Sequence, residues 1–187
     1  MGHFSHFYKM LLPCREDVWI ESGTYRGESV DIALECTFRE LHSIEVCPRL
    51  YEAVAPRFGR EARVNLHQGS SPPILDRLLD DEMTSRCVVF WLDAHFQGYE
   101  SDEQDAEAGE CPLLQELDVI LGKNWSAPVL LAIDDLPLFK GDAFWNEHPM
   151  AAKFKRDTWP RVDAIYEKLS GYTLVETRQC LYAAMRS

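Results

Sequence analysis

Four polar residues follow two apolar runs in a pattern suited to holding a cation or moving a proton. Asp93 and His95 come directly after the run CVVFWL, and Asp134 and Asp135 come after PVLLAI. If these runs are neighbouring strands, they lie about 4.8 Å apart and bring several carboxylates together. Like charges at this distance require protons or a divalent cation. Mg²⁺ is the first expectation for ligands that are all oxygen atoms.

Alternatives remain open for each of these residues. An aspartate at a strand end often caps the next turn or helix. Successive strand side chains point to opposite faces, so Asp134 and Asp135 can both reach one cation only if the strand has already ended. His95 is a candidate general base, a candidate metal ligand or an ordinary loop histidine.

A second group of residues is typical of a ligand-binding turn. The segment VWIESGTYRGESV, residues 18–30, predicts a strand, a turn and the start of a helix. Gly23 and Gly27 bracket the turn and would let the backbone come within van der Waals reach of a ligand. We expect a nucleotide-like cofactor there, and a purely structural turn is the alternative.

Two later strand ends fit the same ligand. Glu45 ends the run LHSIE about twenty residues beyond the turn, the spacing of an acid that binds two ribose hydroxyls. The third run ends in Gln68, Gly69 and Ser70, where small residues and an amide could contact an adenine edge. The order of these groups is that of one bound nucleoside.

The elements that must position these residues alternate along the chain. Hydrophobic patterns predict strands at 18–21, 42–46, 64–67, 87–92, 128–133, 173–176 and 181–185. Between them they predict helices at 28–39, 48–58, after Pro72, at 112–121 and at 159–169. The last two strands are joined by so few residues that they must be antiparallel. The sequence therefore predicts an α/β fold: a mostly parallel seven-stranded sheet with a reversed last strand and helices on both faces.

Composition limits the size and the partners of this fold. With 187 residues and 46% hydrophobic content, the chain is expected to form a single domain over 1–187. Residues 1–16 are predicted to be a short extension, and 96–110 an acidic loop beside the site. The net charge of -12 argues against nucleic acid, which is bound through Lys and Arg. A small-molecule substrate is expected instead.

The cysteines and the lengths of the apolar runs indicate the cellular compartment of the protein. Six cysteines are scattered without metal-binding spacing, which favours a reducing compartment. No apolar run is long enough to span a membrane, and the N-terminus lacks a secretory pattern. We therefore expect a cytoplasmic protein without membrane association.

Taken together, ESGTYRG, SIEV, QGSS, LDAH and IDD, with a reversed last strand, resemble the class I S-adenosylmethionine (SAM)-dependent methyltransferases over nearly the whole chain. FWLDAH followed by ECPLLQEL is also similar to small methyltransferase-like proteins, some of them near the metal-dependent O-methyltransferases. The resemblance implies a Rossmann-like fold and SAM as the cofactor. It implies Mg²⁺ as a second cofactor.

The resemblance also assigns residues. Glu21, Gly23 and Gly27 would hold the methionine end and the sulfonium, and Glu45 the ribose. Further cofactor contacts would come from Thr24, Tyr25, Ser29 and Asp93, and the adenine would lie beside Gly69 and Ser70. The Mg²⁺ ligands would be Asp93, Asp134 and Asp135. The catalytic residues would be Asp93 and His95.

Two departures qualify the resemblance. The metal-dependent enzymes often carry Glu-Asp or Asp-Asn after the fifth strand, whereas this chain has Asp134-Asp135. Little sequence precedes the first strand, so the pocket is expected to be open or completed by a second subunit of a homodimer. The sequence predicts metal-assisted O-methylation of a small-molecule hydroxyl. The alternatives are another acceptor or chemistry on the same fold, and a nucleoside-binding module without turnover; an NAD-dependent oxidoreductase is disfavoured because the full GxGxxG motif is missing.

Overall fold

The computed structural model describes residues 17–95, 110–141 and 154–185 of the chain. The predicted extension at 1–16 and all but the last residue of the predicted acidic loop lie outside the described residues. The strands are β1 (Val18–Ser22), β2 (Glu40–Glu45), β3 (Val64–Gln68), β4 (Val88–Leu92), β5 (Val129–Ile133), β6 (Tyr172–Glu176) and β7 (Leu181–Met185). The α-helices are α1 (Glu28–Glu35), α2 (Pro48–Phe58), α3 (Ser71–Leu78), α4 (Leu113–Leu121), α5 (Leu136–Phe139) and α6 (Val162–Lys168).

All seven strands form one sheet in the order β3-β2-β1-β4-β5-β7-β6. The first five are parallel, and β7 lies antiparallel between β5 and β6. This arrangement confirms the predicted fold class. Ser22 pairs with Leu92, and Leu92 pairs with Ile133. The ends of β1, β4 and β5 are therefore level, and the residues that follow them emerge side by side.

Helices cover both faces of this sheet, as predicted. Side chains of α3, α4 and α6, including Ile74, Leu117 and Ile165, pack on one face around Phe90. On the other face α1 and α2 pack against Trp19. Strands β1, β4 and β5 are buried on both sides, which explains why they read as unbroken apolar runs.

Two predicted helices are shorter than their hydrophobic patterns suggest. The predicted helix 28–39 ends at Glu35, because Cys36 is extended and the chain turns at once into β2. The predicted helix 159–169 begins only at Val162. Trp159 precedes a proline and is extended, with φ -88° and ψ 143°, the conformation that a following proline favours.

The cysteines differ from the sequence-based expectation at one position. Cys36, Cys47, Cys111 and Cys180 are free, but Cys87 is disulfide-bonded. Disulfides are rare in reducing compartments, so the predicted cytoplasmic location loses the support it drew from cysteine usage. Among the helices of the described ranges, none combines the length and the apolar character needed to cross a bilayer.

Candidate active site at the carboxyl ends of the strands

The turn after β1 is built by two glycines that pack against protein atoms. Gly23 has φ 88°, and a Cβ atom there would lie 2.6 Å from the carbonyl oxygen of Asp93. Gly27 has φ 76°, and its Cβ would lie 2.5 Å from the ring of Phe58. Tyr25 between them also has a positive φ of 48°. Both glycines are thus required by the turn's own packing, and Gly23 brings the turn against the end of β4.

Glu45 holds this turn in place. One of its carboxylate oxygens accepts a hydrogen bond of 2.8 Å from the Tyr25 amide, and the other accepts one of 2.9 Å from the Cys47 amide. Cys47 is the N-cap residue of α2, so the carboxylate also serves the helix start. The same carboxylate is the one from which the sequence predicts contacts to the ribose hydroxyls.

Glu21 is fully buried beneath the turn. The Ser43 hydroxyl donates to it at 2.6 Å, the Trp19 indole donates at 3.3 Å, and the Ser29 hydroxyl also hydrogen-bonds it. Burial raises the pKa of Glu21 to about 7, although these donors oppose the shift. Of the predicted cofactor residues, Ser29 thus contacts Glu21, and Thr24 contacts Ser43 at 2.5 Å. The polar residues of the first two strand ends form one network.

Gly69 and Ser70 lie at the neighbouring strand end, as predicted. The Gly69 amide donates to the backbone carbonyl of Glu45 at 2.9 Å, and its φ of 136° is a glycine conformation. Ser70 is the N-cap residue of α3, and its side chain makes no capping hydrogen bond. The predicted cofactor residues therefore gather along the ends of β1, β2 and β3.

The predicted catalytic residues meet at the ends of β4 and β5. His95 Nε2 lies 3.0 Å from Asp135 Oδ2 and 3.2 Å from Asp93 Oδ1. Ligand atoms of these three side chains all lie within 4.8 Å of one another. Burial alone would lower the pKa of His95, but hydrogen bonds and ion pairs with the two acids raise it to about 10. The histidine is therefore an imidazolium at neutral pH.

Asp134 does not join this group, unlike the predicted set of three acids. Its Oδ1 accepts hydrogen bonds from the Asp135 amide at 2.8 Å and from the Cys180 thiol at 3.0 Å. Burial, with nearby Asp93, raises the pKa of Asp134 to about 6. Asp135 adopts φ 51° and ψ 38°, a left-handed conformation that aspartate tolerates. This turn directs the second aspartate, not the first, to His95.

The side chains of Asp93, His95 and Asp135 fit a divalent cation, although a different one from the Mg²⁺ expected from the sequence. Asp93 Oδ1 is buried and faces His95 Nε2 at 3.2 Å, so a cation bound there would replace the imidazolium as the charge that this oxygen faces. Two carboxylates and one imidazole suit Mn²⁺ or another transition metal better than Mg²⁺, which prefers oxygen alone. Because a ligating imidazole must be neutral, cation binding would release the proton of His95.

One functional candidate was missed from the sequence. Glu116 on α4 is only 1% exposed, and Ser71 at the start of α3 donates a short hydrogen bond to it. Burial raises the pKa of Glu116 to about 7, with Asp93 among the contributing charges. Glu116 falls on the apolar face of its helix, between Leu113 and Ile120, and an acid at such a position is the signal that could have found it.

A second missed feature lies behind His95. The ring of Trp159 lies 5.2 Å from the His95 ring, measured between centroids, and it also contacts Phe139 and Phe154. The Trp159 indole donates to the buried carboxylate of Glu110 at 2.9 Å. Trp159 is far from His95 along the chain, so neither periodicity nor motif spacing could have paired them.

Known proteins resemble this chain in structure. The O-methyltransferase TomG from Streptomyces achromogenes, involved in tomaymycin synthesis and solved with SAM, has a TM-score of 0.60 at 19% identity, over 100% of this chain and 79% of its own. The methyltransferase PaMTH1 from Podospora anserina, solved with S-adenosylhomocysteine (SAH), has a TM-score of 0.56 at 17% identity, over 100% and 77%. The N-methyltransferase NodS from Bradyrhizobium japonicum WM9 has a TM-score of 0.54 at 14% identity, over 100% and 94%.

These likenesses show the fold. The chain has the Rossmann-like fold of the SAM-dependent methyltransferases, with the sheet order and reversed last strand predicted from its sequence. No protein-family model matches the chain, and no curated protein sequence matches it.

Proposed function

We propose that this chain is a SAM-dependent methyltransferase that methylates a hydroxyl group of a small molecule with the help of a divalent cation. The observation that carries the proposal is the contact between two sites. Gly23, in the proposed cofactor turn, packs on the backbone of Asp93, which belongs to the acid and histidine group. A cofactor in the turn and a cation at the group would therefore be neighbours.

The residues of the chain would divide the work of binding and positioning. The turn from Gly23 to Gly27 and the carboxylate of Glu45 would hold the methionine and ribose parts of SAM, with Gly69 and Ser70 beside the adenine. Methyl transfer from a sulfonium requires mainly that donor and acceptor be aligned and that water be kept out. The chain supplies alignment by joining the turn to the end of β4.

Asp93, His95 and Asp135 would hold the cation. When bound, a divalent cation lowers the pKa of an acceptor hydroxyl. His95 would then act as a ligand and not as the general base that the sequence suggested, because its Nε2, the nitrogen that faces the two acids, would be bound to the cation. Asp135 has 45% of its side chain exposed, so the carboxylate oxygen that does not face His95 would be the one to take the acceptor's proton.

One observation favours a second candidate, a methyltransferase that needs no cation. The proton on His95 already balances part of the negative charge of Asp93 and Asp135. In that case the imidazolium would orient the acceptor by donating a hydrogen bond, and a nitrogen acceptor would serve as well as oxygen. TomG and NodS are described as O- and N-methyltransferases, so the fold accommodates both.

The net charge of -12 supports a small molecule over a nucleic acid as the acceptor. A homodimer stays a prediction that analytical ultracentrifugation would test.

Calorimetry tests the proposal in two steps. SAM and SAH should bind and NAD should not; binding of NAD alone would overturn the proposal. Mn²⁺ and Mg²⁺ are then titrated into the SAH complex, with tighter binding expected for Mn²⁺.

Asp135→Asn and Asp134→Asn form a matched pair for the cation. They are neighbouring residues, but only Asp135 touches His95. Asp135→Asn should weaken Mn²⁺ binding at least about tenfold, and Asp134→Asn should change it much less. If SAH binds but neither ion does, the cation-independent candidate replaces the first.

A further inference from the structure

Glu110 joins two separate parts of the chain through one oxygen atom. It stands shortly before α4 and is 7% exposed. Its Oε2 accepts a hydrogen bond of 2.7 Å from the Lys155 amide and one of 2.9 Å from the Trp159 indole. Both donors lie in the segment that leads into α6, so the carboxylate fixes that segment beside the start of α4.

The indole held by Glu110 forms the wall against which His95 packs. Trp159 is 4% exposed, and its ring is tilted by 50° to the imidazole at a centroid distance of 5.2 Å. Phe139 and Phe154 pack against other parts of the same indole, at 6.1 and 5.8 Å. The indole is thus enclosed by aromatic rings and tied at its only polar atom.

His95 needs such support because the backbone around it is irregular. It lies three residues beyond β4, and its amide bonds only as far as the Asp93 carbonyl, at 3.1 Å. A side chain there is not fixed by a strand or a helix. The ring that contacts Trp159 is oriented with Nε2 toward Asp93 and Asp135.

We propose that Glu110 is a positioning residue for His95 that acts through the indole of Trp159. The proposal rests on the proposed function for the role of His95 as a cation ligand, but the positioning itself is a property of the protein without any ligand. Outer-shell groups that hydrogen-bond to metal ligands commonly change metal affinity ten- to hundredfold when they are removed. Glu110 acts one contact further from the ligand, so we expect an effect at the lower end of that range. If the Glu110 carboxylate only stabilised the fold, its removal would lower thermal stability but would not change the orientation of the His95 imidazole.

Four variants separate these possibilities. Glu110→Ala removes the acceptor. Glu110→Gln keeps a neutral acceptor oxygen and is the conservative rescue. Trp159→Phe keeps a ring beside His95 but loses the indole donor. Trp125→Phe is the matched control, because the Trp125 indole donates a hydrogen bond of 2.8 Å to the Ile120 carbonyl and packs on Phe90, not on His95.

The first measurement uses the protein without ligands. The imidazole ¹H–¹⁵N correlations of His95 are recorded by NMR and assigned with His95→Gln. Glu110→Ala should shift or broaden these signals, Trp159→Phe should do so to a smaller extent, and Glu110→Gln should largely restore them. Trp125→Phe should leave the His95 signals unchanged, even if it lowers the melting temperature as much as Glu110→Ala does.

The second measurement uses Mn²⁺ alone as the probe. Glu110→Ala should weaken Mn²⁺ binding about tenfold, and Glu110→Gln should stay within about twofold of the unaltered protein. Unchanged His95 signals in Glu110→Ala, or equal changes in Trp125→Phe, would overturn the proposal; if Glu110→Ala does not fold, unchanged signals in Trp159→Phe would do so. Absence of SAM binding would instead overturn the proposed function and leave the NMR result standing.

Discussion

Gly23 and Asp93 approach so closely that a single added carbon at Gly23 would lie 2.6 Å from the Asp93 carbonyl oxygen. The two residues follow β1 and β4, which are paired along their whole length. The contact thus fixes the distance between the turn proposed to bind the cofactor and the group proposed to bind a cation.

Gly23→Ala should therefore destabilise the protein by at least ~2 kcal/mol, because it adds both a steric clash and an unfavourable positive φ. Urea unfolding measures the change, and SAH calorimetry should show weaker binding. Gly171→Ala is the control, since a Cβ there meets no atom within 4 Å. Equal stability of the two variants would mean that the contact is looser than the structure indicates.

Glu116→Gln should make the protein more stable at alkaline pH than the unaltered chain. Burial raises the folded-state pKa of Glu116 from 4.5 to about 7, so its contribution to stability is fully present below pH 4.5 and is lost as pH rises through 7. Glutamine has no such loss and keeps an acceptor for Ser71. The variant's gain in the free energy of unfolding, up to ~3 kcal/mol at pH 8, should vanish near pH 4.5. Denaturant unfolding at a series of pH values measures it.

Glu167→Gln, an exposed position on α6, is the control for Glu116 and should show no pH-dependent gain. A gain of the same size at Glu167 would point to net charge as the cause, because the chain carries a formal charge of -12.

His67→Gln should reduce the sensitivity of the protein to acid. Burial, with His42 and Arg77 adding to it, lowers the pKa of His67 from 6.5 to about 4. The stability linked to the neutral ring is present above pH 6.5 and is lost as pH falls through 4. Between pH 4 and pH 6.5 the free energy of unfolding should therefore change less with pH in the variant than in the unaltered protein. Asn65→Gln, exposed on the same strand, should titrate like the unaltered protein.

Glu45→Ala should affect stability and cofactor binding together. It removes the acceptor of the Tyr25 and Cys47 amides, so the turn and the start of α2 both lose a partner. We expect SAH binding to weaken by about 1–3 kcal/mol in calorimetry. Glu61→Ala, which removes a partly exposed carboxylate beside Arg63, should leave SAH affinity unchanged. A Glu45 variant with full affinity would show that the ribose lies elsewhere.

Local sequence signals were sufficient for the fold and for placing the candidate site residues along one edge of the sheet. Apolar runs such as 88–92 are continuous because the strands are covered on both faces, and Pro48 opens a helix because its missing amide hydrogen is not needed there. Since parallel strands end at one edge, polar residues after those runs were expected to meet.

Details of the site depend on contacts that no local pattern encodes. Which of Asp134 and Asp135 faces His95 is decided by a left-handed backbone at Asp135 and by the thiol of Cys180, the residue just before β7. The partner of Glu116 comes from another helix, and the indole behind His95 comes from beyond β5.

The carboxylate of Glu45 connects the turn after β1 to the N-cap amide of α2, so that the positions of the turn and the helix start depend on each other. A molecule that binds the turn and reduces its motion should therefore also slow amide hydrogen exchange at the beginning of α2, although it would not contact that helix. Exchange mass spectrometry on peptides from residues 47–58 would then serve as a label-free reporter for screening compounds against this protein.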